Sequence, residues 1–139
     1  MPTLQEFIDD CVAQVAARRA AEQAERDRLE QEFQTLLQQV RASLRTRIVQ
    51  AIPQPLRQFA DFAGPRPRLE DLQNYPNTWT PSDFKVEAPG LKLIKFFTAA
   101  DGPASPLRIT DIRVFTVSAG ETSYGTDWIE AVAAAVITP

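Results

Sequence analysis

The sequence has no histidine, and it has one cysteine and five glycines in 139 residues. Without histidine, the chain lacks the commonest general base and the commonest metal ligand of proteins. The single thiol, Cys11, excludes an internal disulfide framework. No pair of carboxylates and no metal-ligand spacing stands out, so the sequence favours a non-enzymatic protein that needs neither metal nor cofactor.

Long apolar runs and a strong net charge are also missing. The formal net charge is −3, which gives no reason to expect nucleic acid or an anionic membrane as a partner. The acidic start MPTLQEFIDD does not resemble a signal peptide, and the apolar tail WIEAVAAAVITP is too short to span a bilayer. From these features we expect a soluble, cytoplasmic protein.

Glycine and proline are absent between residues 3 and 52, which predicts one long helix over residues 1–52. Thr3 and Glu6 fit a capping box at its start, and Pro53 follows its end. A helix of that length would measure roughly 75 Å at 1.5 Å per residue. Because this exceeds what a small core can cover, we expect much of the helix to project or to find another helix.

The predicted helix carries one apolar stripe that is interrupted by charges. At 100° per residue, the stripe has an early part and a late part with the same spacing. Its early part is Leu4, Phe7, Ile8, Cys11 and Val15, and its late part includes Phe33, Leu37, Val40 and Leu44. Between the two parts, the positions that should be apolar are Arg18, Glu22 and Arg26, with Glu30 beside them.

An antiparallel homodimer would explain this interruption. If paired residue numbers sum to 48, Leu4 lies level with Leu44, and Arg18 lies level with Glu30. Every apolar layer then meets an apolar one and every charge meets its opposite, so the charged layers would fix orientation. A coiled coil or bundle with a partner protein's helix remains an alternative, as does an unpaired stem supported by i,i+4 charge pairs.

The rest of the chain predicts an α+β fold with a small antiparallel unit at its end. Residues 53–83 are proline-rich and predict a connector, with a short helix over residues 56–63. Residues 84–139 predict a β-rich unit, in which residues 91–98 and 107–117 form a hairpin and residues 84–87 add an edge strand. Residues 118–127 predict a turn. Residues 128–137 fit a helix or a strand, and a capping box of Asp127 and Glu130 favours the helix.

Three further features are candidates for contacts. Tyr75 and Trp79 in the connector predict partner anchors or, in the plainer interpretation, a cover for the adjacent core. Arg41, Arg45 and Arg47 predict either a nucleic-acid contact or simple complementation of the helix dipole. Cys11 lies on the apolar stripe among acids, which predicts packing rather than a reactive thiol.

These observations lead to two hypotheses of different classes. The first is a structural or interaction protein that self-associates through its long helix and presents its β-rich unit to a partner or assembly. The second is a nucleic-acid-associated regulator that uses the basic end of the helix. A noncatalytic subunit of an enzyme is not separable from the first hypothesis on sequence grounds.

Overall fold

The computed structural model describes residues 1–137 and has an α+β fold, which confirms the predicted class. Two compact units divide the chain, Met1–Leu36 and Leu37–Pro139. This division does not coincide with the predicted boundaries after residues 52 and 83. It differs because the last turns of the long helix and the whole predicted connector belong to the second unit. The last two residues of the predicted β-rich unit lie outside the described residues.

The long helix α1 spans Leu4–Ile48 and starts with the predicted capping box. Thr3 Oγ1 accepts a hydrogen bond from the Glu6 N–H at 3.2 Å, and Glu6 Oε2 accepts one from the Thr3 N–H at 3.4 Å. Two 3₁₀ helices follow, Val49–Ala51 and Gln54–Phe59, as the chain passes Pro53. The helix predicted over residues 56–63 is therefore a 3₁₀ helix that ends at Phe59, four residues earlier than predicted.

Strand β1 (Ala60–Phe62) and helix α2 (Leu69–Asn74) form within the predicted connector. The sheet continues with β2 (Asp83–Val86), β3 (Ile94–Ala99), β4 (Arg108–Thr116) and β5 (Gly120–Ser123), all antiparallel in chain order. The predicted hairpin is thus β3–β4. The segment predicted as an edge strand is interior, because β1 pairs with β2 on its other side. The segment predicted as a turn contains β5, because its hydroxyl-rich residues pair with β4.

The last helix, α3 (Trp128–Ala135), confirms the favoured interpretation of the tail. Asp127 Oδ1 accepts a hydrogen bond from the Glu130 N–H at 3.2 Å, as its N-cap role requires. The helix ends one residue before Val136, which bridges to Leu91 in an isolated β-pair. The predicted extent of the helix, to residue 137, is therefore too long.

The core of the second unit lies on one face of the sheet. The buried side chains of that face come from β2, β3 and β4, and α3 packs against β3 and β4. Its most buried large members are Phe84, Phe96, Ile94, Ile112, Val86 and Val114. Phe84 and Phe96 stack with ring centroids 5.3 Å apart. Ala131 and Ala135 of α3 are fully buried, because helix packing close to a sheet favours small side chains.

Candidate interaction surfaces

The early part of the helical stripe is exposed along its whole length. Leu4, Ile8, Cys11 and Val15 are all exposed, as is every residue from 1 to 31. The thiol of Cys11 therefore does not pack in a core, which corrects the sequence prediction for a single chain. Exposed apolar side chains at helical spacing are typical of a surface that another helix covers.

The charged interruption is exposed as well. Arg18, Glu22, Arg26 and Glu30 all lie on the solvent-accessible helix surface. Arg26 Nη2 donates a hydrogen bond to Gln23 Oε1 at 2.8 Å. Nearby, Arg28 Nη2 donates a hydrogen bond to Glu25 Oε1 at 2.6 Å within an ion pair. This hydrogen bond lowers the pKa of the Glu25 carboxyl. Exposed pairs of this kind contribute little to helix stability, because water and salt screen them.

The late part of the stripe is buried within the single chain. Val40 and Leu44 are 3% and 2% exposed, and Phe33 and Leu37 are also buried. In the second unit, Leu37, Val40 and Leu44 belong to the core, so they have no free surface for a second helix. The predicted antiparallel dimer, in which these residues meet Cys11, Ile8 and Leu4 of the partner, is therefore wrong in its register.

Tyr75 contacts α1, and Trp79 contacts Tyr75. The Tyr75 hydroxyl lies 2.7 Å from Ser43 Oγ and accepts a hydrogen bond from Arg47 Nη1 at 3.3 Å. The two rings meet edge-on at 6.4 Å between centroids. Both residues are half-buried, which agrees with the plainer interpretation that they cover the core.

Two of the three arginines at the basic end of α1 have intrachain partners. Arg41 Nε lies 3.4 Å from Asp61 Oδ1, and its guanidinium stands 5.3 Å from the centre of the Phe62 ring. Arg47 Nε donates a hydrogen bond to the Ser105 carbonyl at 2.8 Å. Arg45 is exposed. Of the three, only Arg41 is paired with a carboxylate, whereas the described partners of Arg47 are neutral, so the nucleic-acid hypothesis stays a prediction.

The outer face of the sheet carries a row of cations that the sequence analysis missed. Strand register places Lys85 opposite Lys95, and Lys95 opposite Arg113. Like charges directly opposite one another destabilise a sheet. Lys85 lies 2.9 Å from Glu87, and Arg113 is held by Asp111, leaving Lys95 at the centre of the row as an exposed cation.

Asp111 anchors one end of this cation row. It accepts hydrogen bonds from Arg113 Nε at 2.6 Å and from the Ser123 hydroxyl. Burial raises the pKa of the Asp111 carboxyl, but the hydrogen bonds from Ser123 and Arg113 outweigh burial and lower it. The Arg113 guanidinium also stacks 4.6 Å from the centre of the Phe97 ring. Arg113 is thus fixed in place while Lys95 is not.

Beside the cation row lies a shallow depression of about 320 Å³. Its lining combines two exposed apolar side chains, three cations and one acid. These residues are Lys92, Leu93, Lys95, Arg113, Phe115 and Glu121. The volume is at the small end of the range of about 300–1,000 Å³ for ligand pockets. It suits a single side chain or a short peptide segment rather than a large cofactor.

No protein-family model, curated protein or solved structure matches this chain. Among residues 1–137, no helical segment combines the length and apolar character needed to cross a membrane. Within the same part of the chain, no cluster of three or more Cys, Asp and Glu side chains is placed to hold a metal ion.

Proposed function

We propose that this is a non-enzymatic structural or interaction protein. It self-associates through the N-terminal part of α1 and presents its β-rich unit, residues 84–137, to a partner or assembly. One observation carries the proposal. Residues 1–31 are all exposed in the single chain, yet Leu4, Ile8, Cys11 and Val15 form an apolar stripe there.

Covering such a stripe with a second helix lowers the free energy, because apolar surface leaves water. Burying one Leu, Ile or Val side chain fully contributes about 1.5–3 kcal/mol. Helices in proteins derive most of their stability from packing of an apolar face rather than from intrinsic propensity. The exposed ion pair between Arg28 and Glu25 does not replace that contribution, because solvent screens surface pairs.

A second copy of the same helix fits the stripe best in an antiparallel overlap of residues 4–15. In that overlap Leu4 lies level with Val15, and Ile8 lies level with Cys11, so each apolar layer meets another. A parallel pair would instead place Arg18 beside Arg18 and Glu22 beside Glu22, which is unfavourable. The short antiparallel overlap leaves those charges outside the contact.

The test is sedimentation equilibrium of the full chain and of two matched variants. Ile8→Glu places a charge in the stripe, whereas Ala13→Glu places the same charge on the opposite side of the helix. We expect Ile8→Glu to weaken self-association at least about tenfold, and Ala13→Glu to leave it nearly unchanged. Equal association of the two variants would contradict the proposal, as would a monomeric wild type.

The sole thiol reports the register. In the overlap of residues 4–15, the two Cys11 thiols lie within about 10 Å, so a short bifunctional maleimide joins two copies. In the register where residue numbers sum to 48, they would be about 39 Å apart at 1.5 Å per residue, and no cross-link would form. Cys11→Ala serves as the control for reaction at sites other than the thiol.

A further inference from the structure

Two phenylalanines are exposed among the described residues, and their charge surroundings are opposite. Phe7, near the start of α1, is 59% exposed, and Phe115, on the outer sheet face, is 64% exposed. Exposed aromatic rings beside charged groups are common anchors of protein contacts. The two rings therefore identify two surfaces that belong to different parts of the chain.

The surroundings of Phe7 are acidic. Residues 1–17 contain Glu6, Asp9 and Asp10 and no lysine or arginine. Asp10 follows Phe7 by three residues, so the two side chains lie on the same side of the helix. The Asp10 carboxylate accepts a hydrogen bond from the exposed Gln14 amide at 2.8 Å, which leaves acceptor positions open.

The surroundings of Phe115 are mostly basic. Phe115 lines the depression with Leu93, and three cations border it. Arg113 is engaged with Asp111, but Lys92 and Lys95 have no charged partner among the described residues. Glu121 is the one acid of the lining. Phe7 and Asp10 complement this depression in shape and charge. An aromatic ring fits the apolar floor, and a carboxylate one helical turn later can pair with the two lysines beside it.

We propose that the start of α1 of a second copy docks in this depression. Phe7 of that copy would contact Leu93 and Phe115, and its Asp10 would lie beside Lys92 and Lys95. Phe7 lies at the edge of the stripe and Asp10 lies beyond it, so neither occupies a paired layer in the antiparallel overlap of residues 4–15. The contact therefore uses side chains next to the helix pair, and Lys95 lies outside that pair. Because it joins two different surfaces, it makes a ring or an open chain of subunits rather than a closed dimer.

A charge-exchange experiment tests the contact. Asp10→Lys would place a new lysine against Lys95 of the next copy, and Lys95→Glu would place a new glutamate against Asp10. We expect each variant alone to assemble at least about tenfold more weakly than wild type. In an equal mixture, the new lysine of one variant meets the new glutamate of the other. The unaltered Asp10 of the Lys95→Glu copy also meets the unaltered Lys95 of the Asp10→Lys copy. Both contacts join opposite charges, so assembly should return to near the wild-type level. Sedimentation velocity at low and high salt measures all three samples.

The controls separate this contact from helix pairing. Arg45→Glu changes the net charge as much as Lys95→Glu, but on an exposed helix position away from the depression. Lys95 lies outside the helix pair, so Lys95→Glu would stop assembly at a dimer if that pair forms, and at a monomer if it does not. Thermal unfolding followed by circular dichroism checks that each variant is folded.

Several outcomes would overturn the proposal. These are a wild type with no species beyond a dimer, a Lys95→Glu variant that assembles like wild type, and a mixture that is no better than its components. A mixture that recovers while Arg45→Glu behaves like wild type would support it. Loss of assembly with added salt is also expected, because the contact pairs solvent-exposed charges.

Discussion

The indole of Trp128 donates its Nε1 hydrogen to the carbonyl oxygen of Ala51 at 2.9 Å. The same ring meets Phe96 edge-on, with centroids 5.4 Å apart. One side chain thus joins α3 to the turn that follows α1 and to the inner face of the sheet. Because these three segments are distant in sequence, this contact helps the second unit to fold as one body.

Replacement of Trp128 by Phe should destabilise the protein. It removes the donor to the half-buried Ala51 carbonyl while keeping an aromatic ring, and such a hydrogen bond contributes about 0.5–1.5 kcal/mol. Urea denaturation followed by circular dichroism measures the change in free energy of unfolding. The neighbouring Ile129→Ala is the control, because Ile129 is exposed and should change the stability by less than about 0.5 kcal/mol. Equal effects of the two variants would contradict this role of the indole.

Two residues of the same helical stripe should respond differently to truncation. Leu44 is 2% exposed and belongs to the core, so Leu44→Ala should cost about 2–5 kcal/mol of unfolding free energy. Ile8 is 43% exposed, so Ile8→Ala should leave the unfolding free energy at low protein concentration nearly unchanged. Denaturation at micromolar concentration separates the two, and comparable losses would show that Ile8 is packed within the chain.

The contrast between Leu44 and Ile8 shows where sequence reasoning reaches its limit. Both halves of α1 have apolar residues at the same spacing, and a capping box and absence of glycine and proline predict the helix itself. The sequence of neither half shows which other segment covers its apolar residues. The late half contacts Tyr75, which lies 32 residues beyond its partner Ser43 in the sequence.

The outer sheet face shows a second limit. Lys85, Lys95 and Arg113 look like ordinary exposed residues in sequence, and only the register of three strands places them in one row. Strand β5 was missed because its residues, Gly120–Ser123, have little β-propensity. Without β5 and the register, neither the anchoring of Asp111 by Ser123 nor the depression beside Phe115 was predictable.

The stability of the protein should depend on the ionisation of Asp111. Burial alone would raise its pKa, but hydrogen bonds from Ser123 and Arg113 outweigh burial and lower the pKa in the folded state. A lowered folded pKa stabilises the fold above the ordinary aspartate value of about 3.9, and this contribution is lost as the pH falls through the folded pKa. Asp111→Asn should therefore lower stability at pH 7 by up to about 1 kcal/mol, since the pair is partly solvated.

Urea denaturation between pH 7 and pH 2.5 checks the sign of this dependence. The difference between wild type and Asp111→Asn should be largest at neutral pH and should shrink below about pH 4. Asp101→Asn is the control, because Asp101 pairs with Arg108 at 3.1 Å on a highly exposed surface. A constant difference across the pH range would mean that Asp111 contributes through packing or geometry rather than through its charge.

Replacing Lys95 should raise the stability of the fold and weaken assembly. Lys85 and Arg113 lie directly opposite it on the two neighbouring strands, so Lys95→Thr relieves repulsion and places a β-branched residue in a strand. We expect the free energy of unfolding to rise by about 0.2–1 kcal/mol. If Lys95 also contacts Asp10 of a second copy, the same substitution should weaken assembly.

Lys92→Thr is the matched control, because Lys92 precedes β3 and lies outside the cation row. Its loss should therefore weaken assembly without the gain in stability. Thermal denaturation and sedimentation velocity of both variants measure the two effects separately. A stability gain without any loss of assembly would mean that the charge of Lys95 serves only to keep this face hydrated.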